Sequence, residues 1–244
     1  MRRWTIPELE WITPAVDRDA VLTVESLAVR YGRRPAVHEV SLHVRAGEVV
    51  GLVGHNGSGK TSVLRVAAGL AEPATGTVRV QAPPGADATI RYVPTTRPVF
   101  ADLSVRDNLW LGAGPMAPVA RNVRVEEVLA LFPELAGRLD EHAGVLSGGE
   151  QRLVSIGIAL MVRPVLLLVD EPTQFLAPTA AARVLRTLRS LADDGVGVLM
   201  AETSVAAAAH IADRVYVLNS GRLRSEHTGR DLLAGGPRSW WRLL

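Results

Sequence analysis

An α/β fold with a parallel sheet covered by helices is what this sequence predicts, on three observations. From residue 147 onward, helical and strand-like periodicity alternate, which is the signature of strands joined by helical crossovers. Residues 49–53 form an apolar strand that runs straight into glycines and then into a helical pattern. The composition supplies a core: of 244 residues, 48% are hydrophobic and 21% charged, which excludes disordered and low-complexity classes.

The elements follow in order. Residues 1–20 carry Pro7 and Pro14 among mixed charges and are expected to be an irregular extension. Strand patterning begins at Val21, Thr23 and Glu25, resumes over 37–44, and breaks at a turn at Ala46-Gly47. Short strands are expected at 49–53, 77–80 and 89–93, with Pro83-Pro84-Gly85 as a loop. Residues 102–140 are helical in character, with Val125, Val128, Leu129 and Phe132 at i, i+3, i+4 and i+7. Then come a helix over 150–162, a buried strand over 165–169, a helix over 179–192 and a strand over 196–201.

Several classes of function are excluded at once. With no cysteine there is no disulfide, thiolate zinc site or thiol nucleophile. Twenty-seven Lys and Arg against 25 Asp and Glu leave a net charge of +2, which is no nucleic-acid footprint. No stretch approaches 18 uncharged apolar residues, and no apolar segment of secretory type follows Met1-Arg2-Arg3-Trp4. The chain is expected to be cytoplasmic, with any membrane link made through a partner. Lys60 is the only lysine; every other basic residue apart from His is Arg.

That lysine stands in Gly54-His55-Asn56-Gly57-Ser58-Gly59-Lys60-Thr61, which fits G-x-x-x-x-G-K-[ST]. Glycines let backbone N–H groups turn toward phosphate oxygens without a Cβ in the way. The helix that starts near Lys60 adds its positive end. Lys60 is a compact charge suited to the β- and γ-phosphates, and Thr61 offers a hydroxyl to Mg²⁺. Asp170-Glu171 ends an apolar strand, which places two carboxylates at the carboxyl edge of the sheet. Asp170 is the candidate to hold Mg²⁺, directly or through water, and Glu171 the candidate general base. Leu146-Ser147-Gly148-Gly149-Glu150-Gln151 contains a capping box, S-x-x-E. Its free N–H groups and serine hydroxyl make sense as an anion site closing over a nucleotide held by another subunit, or as a helix cap alone.

Together these motifs resemble the ATP-binding cassette (ABC) ATPases over roughly residues 21–235. Further segments are similar to the smaller ATP-binding subunit of branched-chain amino acid importers: Tyr92-Val93-Pro94 with Arg97, Phe100 and 103–109; 131–135; Asp170-Glu171-Pro172-Thr173 with Leu176-Ala177-Pro178; and 211–218. The resemblance implies a RecA-like P-loop NTPase core with an N-terminal antiparallel β subdomain and an inserted helical subdomain at about 96–146, within an ATPase domain over 21–244. It implies ATP and Mg²⁺ as cofactors. The nucleotide-binding set is Tyr31, Gly54, His55, Asn56, Gly57, Ser58, Gly59, Lys60, Thr61, Ser62, Ser147, Gly148, Gly149, Glu150 and Thr203. Thr61, Asp170 and Thr95 form the metal set, and Glu171 is catalytic. Tyr31 takes the place of the family's adenine-stacking aromatic, or is an ordinary strand tyrosine.

The implied partners are a second ABC ATPase subunit, identical or different, transmembrane permease subunits, and indirectly a solute-binding protein, with no nucleic acid. The chain would lie peripherally on the inner face of the cell membrane and power import of a small solute, a branched-chain or hydrophobic amino acid. Three family positions depart from the pattern: the Q-loop glutamine is Thr95, the switch histidine is Thr203, and the D-loop aspartate is Ala177. They motivate the alternative of a nucleotide-binding regulatory or assembly subunit with little or no hydrolysis. A GTPase is excluded, since a guanine-reading Asn-Lys-x-Asp needs a second lysine, and a small-molecule kinase leaves the motif at 146–151 without a role.

Overall fold

The computed structural model describes residues 12–14, 17, 20–82, 85, 87–96, 99–236 and 240. Most of the expected extension over 1–20, Pro83 and Pro84 of the expected loop, and Arg97 lie outside the described residues.

Two sheets form. Strands β1 (Leu22–Tyr31), β2 (Arg34–Val44) and β4 (Thr75–Val80) make an antiparallel sheet in the order β2-β1-β4. The larger sheet has the order β5-β6-β7-β3-β8-β9, from β3 (Val49–Val53), β5 (Ile90–Val93), β6 (Leu166–Asp170), β7 (Gly197–Glu202), β8 (Arg214–Asn219) and β9 (Arg222–Thr228). All its pairings are parallel except β8 with β9. Strands β3, β6 and β7 are buried along their whole length, as continuous apolar runs in a two-sided parallel sheet must be.

Helices cover both faces. Helix α1 (Lys60–Ala67) and the antiparallel sheet bury one core, with Leu64, Leu52, Leu42 and Tyr216 fully enclosed. On the other side pack α2 (Val105–Gly112), α3 (Pro118–Leu131), α4 (Pro133–Ala136), α5 (Gly148–Leu160), α6 (Pro178–Asp193) and α7 (Val205–Ile211), while α8 (Gly229–Gly235) closes the described chain. The expected stripe on α3 is buried: Val125, Val128 and Leu129 face the core, and Phe132 follows them inward. Gly157 lets Leu109, Val128 and Phe132 close on α5; a Cβ there would stand 2.9 Å from Leu109. Trp240 packs on this core and donates its indole N–H to Leu232 O at 2.9 Å.

The sequence expectation is met for the central elements and differs at two places. Helix α5 stops at Leu160 rather than 162, because Arg163 adopts a left-handed conformation (φ 50°) before Pro164. Strands β8 and β9 and helices α7 and α8 had no counterpart in the periodicity.

Candidate functional site

The loop between β3 and α1 wraps the start of the helix. Gly54 is obligatory by contact, since a Cβ there would lie 2.2 Å from Leu218 O. Gly59 caps α1 in a left-handed conformation (φ 108°), with no side-chain bond to the first helical N–H groups. Those N–H groups and the helix dipole favour an anion at this end. Ser58 Oγ is buried with no partner, a polar atom aimed into the loop.

Lys60 is 5% exposed, and its ammonium donates to Gly54 O (2.8 Å) and His55 O (3.2 Å). It also pairs with Glu171 Oε1 at 3.1 Å. Thr61 Oγ1 donates to Asp170 Oδ2 at 2.8 Å. Tyr92 donates to the same oxygen at 3.1 Å, and burial together with the Asp170 charge pushes its phenol well above the usual range. Thr95 Oγ1 donates to the Asp170 main-chain oxygen at 3.1 Å.

Glu171 sits at φ 47°, a left-handed conformation that a side chain rarely adopts. Its N–H donates to Ala201 O at 2.9 Å, and its Oε2 accepts from Thr203 N (3.1 Å) and Thr203 Oγ1 (3.3 Å). Lys60, Thr61, Thr95 and Glu171 line a cleft of about 370 Å³ with Asn56, Gly57, Gly59, Ser62 and Gln174 among others, and Asp170 and Tyr92 line a second cleft that shares Thr61 and Thr95. Tyr31, half exposed at the end of β1, donates to Ser62 Oγ at 3.3 Å, so its ring stands beside the first cleft.

The donor set suits a hard cation. Thr61 hydroxyl and Asp170 carboxylate are oxygen ligands that already meet. Among the described residues no group of three or more His, Cys, Asp or Glu could hold a metal, so waters and phosphate oxygens would complete the shell of a Mg²⁺ bound there. The anchored amides and Lys60 fit a polyphosphate.

The expected residues divide between two places. The loop, Lys60, Thr61, Ser62, Thr95, Asp170 and Glu171 come together. Thr203 joins them through Glu171 rather than by lining the cleft. His55 contributes its main-chain oxygen to Lys60. Ser147, Gly149 and Glu150 line a separate cleft of about 220 Å³ with Ala180 and Arg183. There Ser147 caps α5 with both bonds of the capping box in place. Arg138 donates to Glu150 Oε1 at 2.7 Å. The Ser147 hydroxyl and then Arg138 hold the Glu150 carboxyl below its usual range. Gly149 faces Ala180 of α6 so closely that a Cβ would lie 2.7 Å from Ala180 Cβ.

Sequence reasoning passed over four residues here. Tyr92 holds Asp170, and Arg138 holds Glu150. Arg152, 4% exposed, donates to Pro94 O (2.6 Å) and Thr95 O (3.0 Å), tying α5 to the segment after β5. Glu202, 1% exposed, accepts from Thr173 N and Oγ1. Arg152 and Glu202 left a weak signal, a charge at the border of an apolar run; Tyr92 and Arg138 left none outside their tertiary contacts.

Comparison with known proteins supplies the family. The family model described as ABC transporter matches residues 37–174. The chain is 37% identical over 221 residues to the high-affinity branched-chain amino acid transport ATP-binding protein BraG of Pseudomonas aeruginosa, covering 87% of this chain and 95% of that protein. It is 32% identical over 225 residues to the lipopolysaccharide export system ATP-binding protein LptB of Escherichia coli, covering 88% and 93%. Among solved structures it superposes on cbiO1 of Clostridium perfringens, part of an ABC transporter complex, with a TM-score of 0.80 at 23% identity, covering 92% and 94%. An ATP-binding cassette of an ABC transporter in its ADP conformation gives 0.76 at 25% identity, covering 89% and 96%.

Proposed function

Starting from the fact that this chain belongs to the ABC transporter family and is an ABC-type ATPase, we propose that it binds ATP and Mg²⁺ in the cleft between the phosphate loop and Glu171. In this reading it hydrolyses the nucleotide while paired with a second cassette, beneath transmembrane permease subunits. The observation that carries this reading is that Lys60, Thr61 and Glu171 line one cleft while Thr61 also donates to Asp170.

The loop amides and the start of α1 bind the phosphates, and Lys60 meets their negative charge. Thr61 and Asp170 would hold Mg²⁺, which would supply neutralisation of phosphate charge. Glu171 takes a proton from the attacking water; the water oxygen bonds to the γ-phosphorus as the bond to the bridging oxygen breaks. Its contact with Lys60 directs one carboxylate oxygen at the cleft, and Thr203 fixes the other. Tyr31 stacks on the adenine. Ser147, Gly148, Gly149 and Glu150 close over the nucleotide of the partner cassette, a reading supported by Ser147, Gly149 and Glu150 lining a cleft that shares no residue with the chain's own phosphate cleft.

No described helix is long and apolar enough to cross a membrane. We place the chain peripherally on the inner membrane face, as a unit over 21–244 with a helical insertion at about 96–146. The cargo we infer is a branched-chain or hydrophobic amino acid delivered by a solute-binding protein, with no nucleic-acid partner. BraG and the Archaeoglobus fulgidus LivF, 32% identical, support it. The lipopolysaccharide-export relatives set the competing cargo.

The test has two stages. Lys60→Ala is expected to abolish ATP binding, and Glu171→Gln to keep binding while stopping phosphate release; binding untouched in the first would overturn the site. Uptake of labelled leucine by the reconstituted transporter then tests the cargo. Background hydrolysis in the complete assembly would favour the regulatory alternative.

A further inference from the structure

A carboxyl at the end of a buried parallel strand is expensive unless its oxygens are satisfied. Glu202 ends β7, is 1% exposed, and makes no ion pair among those of the described residues. Its Oε1 accepts from Thr173 N at 3.0 Å and Thr173 Oγ1 at 2.7 Å, and it accepts from the Ser204 N–H as well. The charged groups whose fields reach it are Glu171 and Arg152. Burial, reinforced by the Glu171 charge, pushes its carboxyl above the usual range. The arrangement therefore costs stability, and its partners show what is obtained in return.

Thr173 is two residues past Glu171. The end of β7 grips this same segment at three points. Ala201 O accepts from Glu171 N, Thr203 donates to the Glu171 carboxylate, and Glu202 accepts from Thr173. Strands β6 and β7 lie side by side with Asp170 opposite Ala201, so the two loops leave the sheet together. Glu171 meanwhile occupies a left-handed backbone conformation, which persists only where surrounding bonds over-determine it.

We propose that Glu202 is a positioning residue: by clamping Thr173 to the end of β7 it holds the segment from Glu171 to Thr173 in its strained conformation, and so holds Glu171 at the phosphate cleft. This rests on Glu171 being the base, the reading given above.

The test compares Glu202→Gln, which keeps an acceptor oxygen, with Glu202→Met, which fills the space but accepts nothing. Steady-state ATP hydrolysis by the assembled transporter carrying each variant is measured beside thermal unfolding of the chain. The expected kcat order is Glu, then Gln within about fivefold, then Met down about tenfold or more, with KM for ATP within twofold throughout. A residue acting only through packing predicts the reverse, Met equal to or better than Gln. That order, or a Met variant with unchanged kcat, overturns the proposal. Thr173→Ala, which removes one donor at a half-buried position, gives a second route should the Met variant fail to fold. It must lower kcat at constant KM, and it must add nothing to Glu202→Met where both fold; unchanged kcat in Thr173→Ala is a refutation. Glu171→Gln, run alongside, separates the two claims. Hydrolysis persisting there sinks the assignment of the base, whereas hydrolysis lost there but retained in Glu202→Met sinks the positioning role alone.

Discussion

Gly149→Ala adds one methyl where the start of α5 meets the start of α6. The new Cβ would stand 2.7 Å from Ala180 Cβ, whereas carbon atoms pack comfortably at about 3.5–4.0 Å. The two helices must separate by about 1 Å, and overpacking of this kind costs about 1–3 kcal/mol. Opposing it, replacing a helical glycine gains at most about 1 kcal/mol in an interior and less in a first turn. The net expectation is a loss of about 1–2 kcal/mol in urea unfolding. Ala180→Gly removes the opposing methyl, so the double variant should recover about 1–2 kcal/mol relative to the sum of the singles, well above the ~0.5 kcal/mol scatter of independent sites. Hydrolysis should follow the same pattern, falling in Gly149→Ala and returning in the double variant. Additive stabilities would refute the reasoning, because they would mean that the two helices do not touch there.

Two further outcomes follow from the described geometry. Phe175 is 89% exposed and holds φ 63°. Phe175→Gly relieves a left-handed strain of about 1–2 kcal/mol against about 0.5–1 kcal/mol of added chain entropy, so its urea midpoint should rise; a fall would refute this. His43 is 6% exposed, its Nε2 faces Arg214 Nη1 at 3.1 Å, and its Nδ1 has no partner. Burial first, then Arg214 and Arg45 against the weaker pull of Glu48 and Asp17, lowers its pKa. The unfolded chain therefore takes up this proton first, and stability conferred by neutral His43 is complete above about pH 6.5 and declines as the pH falls below it. The stability difference between the parent and His43→Gln should shift against the parent between pH 7.5 and 5.5; a constant difference would rule out this linkage.

The parts of this molecule that were legible in sequence are those whose chemistry is local. A continuous apolar run such as 165–169 can only be a buried element, and the spacing of Gly54, Gly59, Lys60 and Thr61 encodes a turn and a helix start within eight residues. Strand β9 was hidden because it lies at the sheet's antiparallel edge, where only Leu223 is buried and Arg222, Ser225, Glu226 and His227 mask the alternation. Helix α7 spans seven residues, too few for a period to emerge. In the site, the meeting of Lys60 with Glu171 across more than a hundred residues needs the sheet order β6-β7-β3, which no local pattern encodes. The role of Thr203 shows the same limit. Resemblance set it at the nucleotide, and that its hydroxyl and amide donate to Glu171 is visible only in the fold.

Lys60 is also the chain's one side-chain amine, and the fold encloses it behind two carbonyls and a carboxylate. To reagents that acylate lysine, no other side chain of this protein offers an amine: the remaining strong bases are guanidinium groups, which such reagents pass over. Any lysine adduct must have formed inside the cleft, which makes acylation at this single atom an intrinsic gauge of how often the cleft opens and of how well a bound nucleotide keeps it shut.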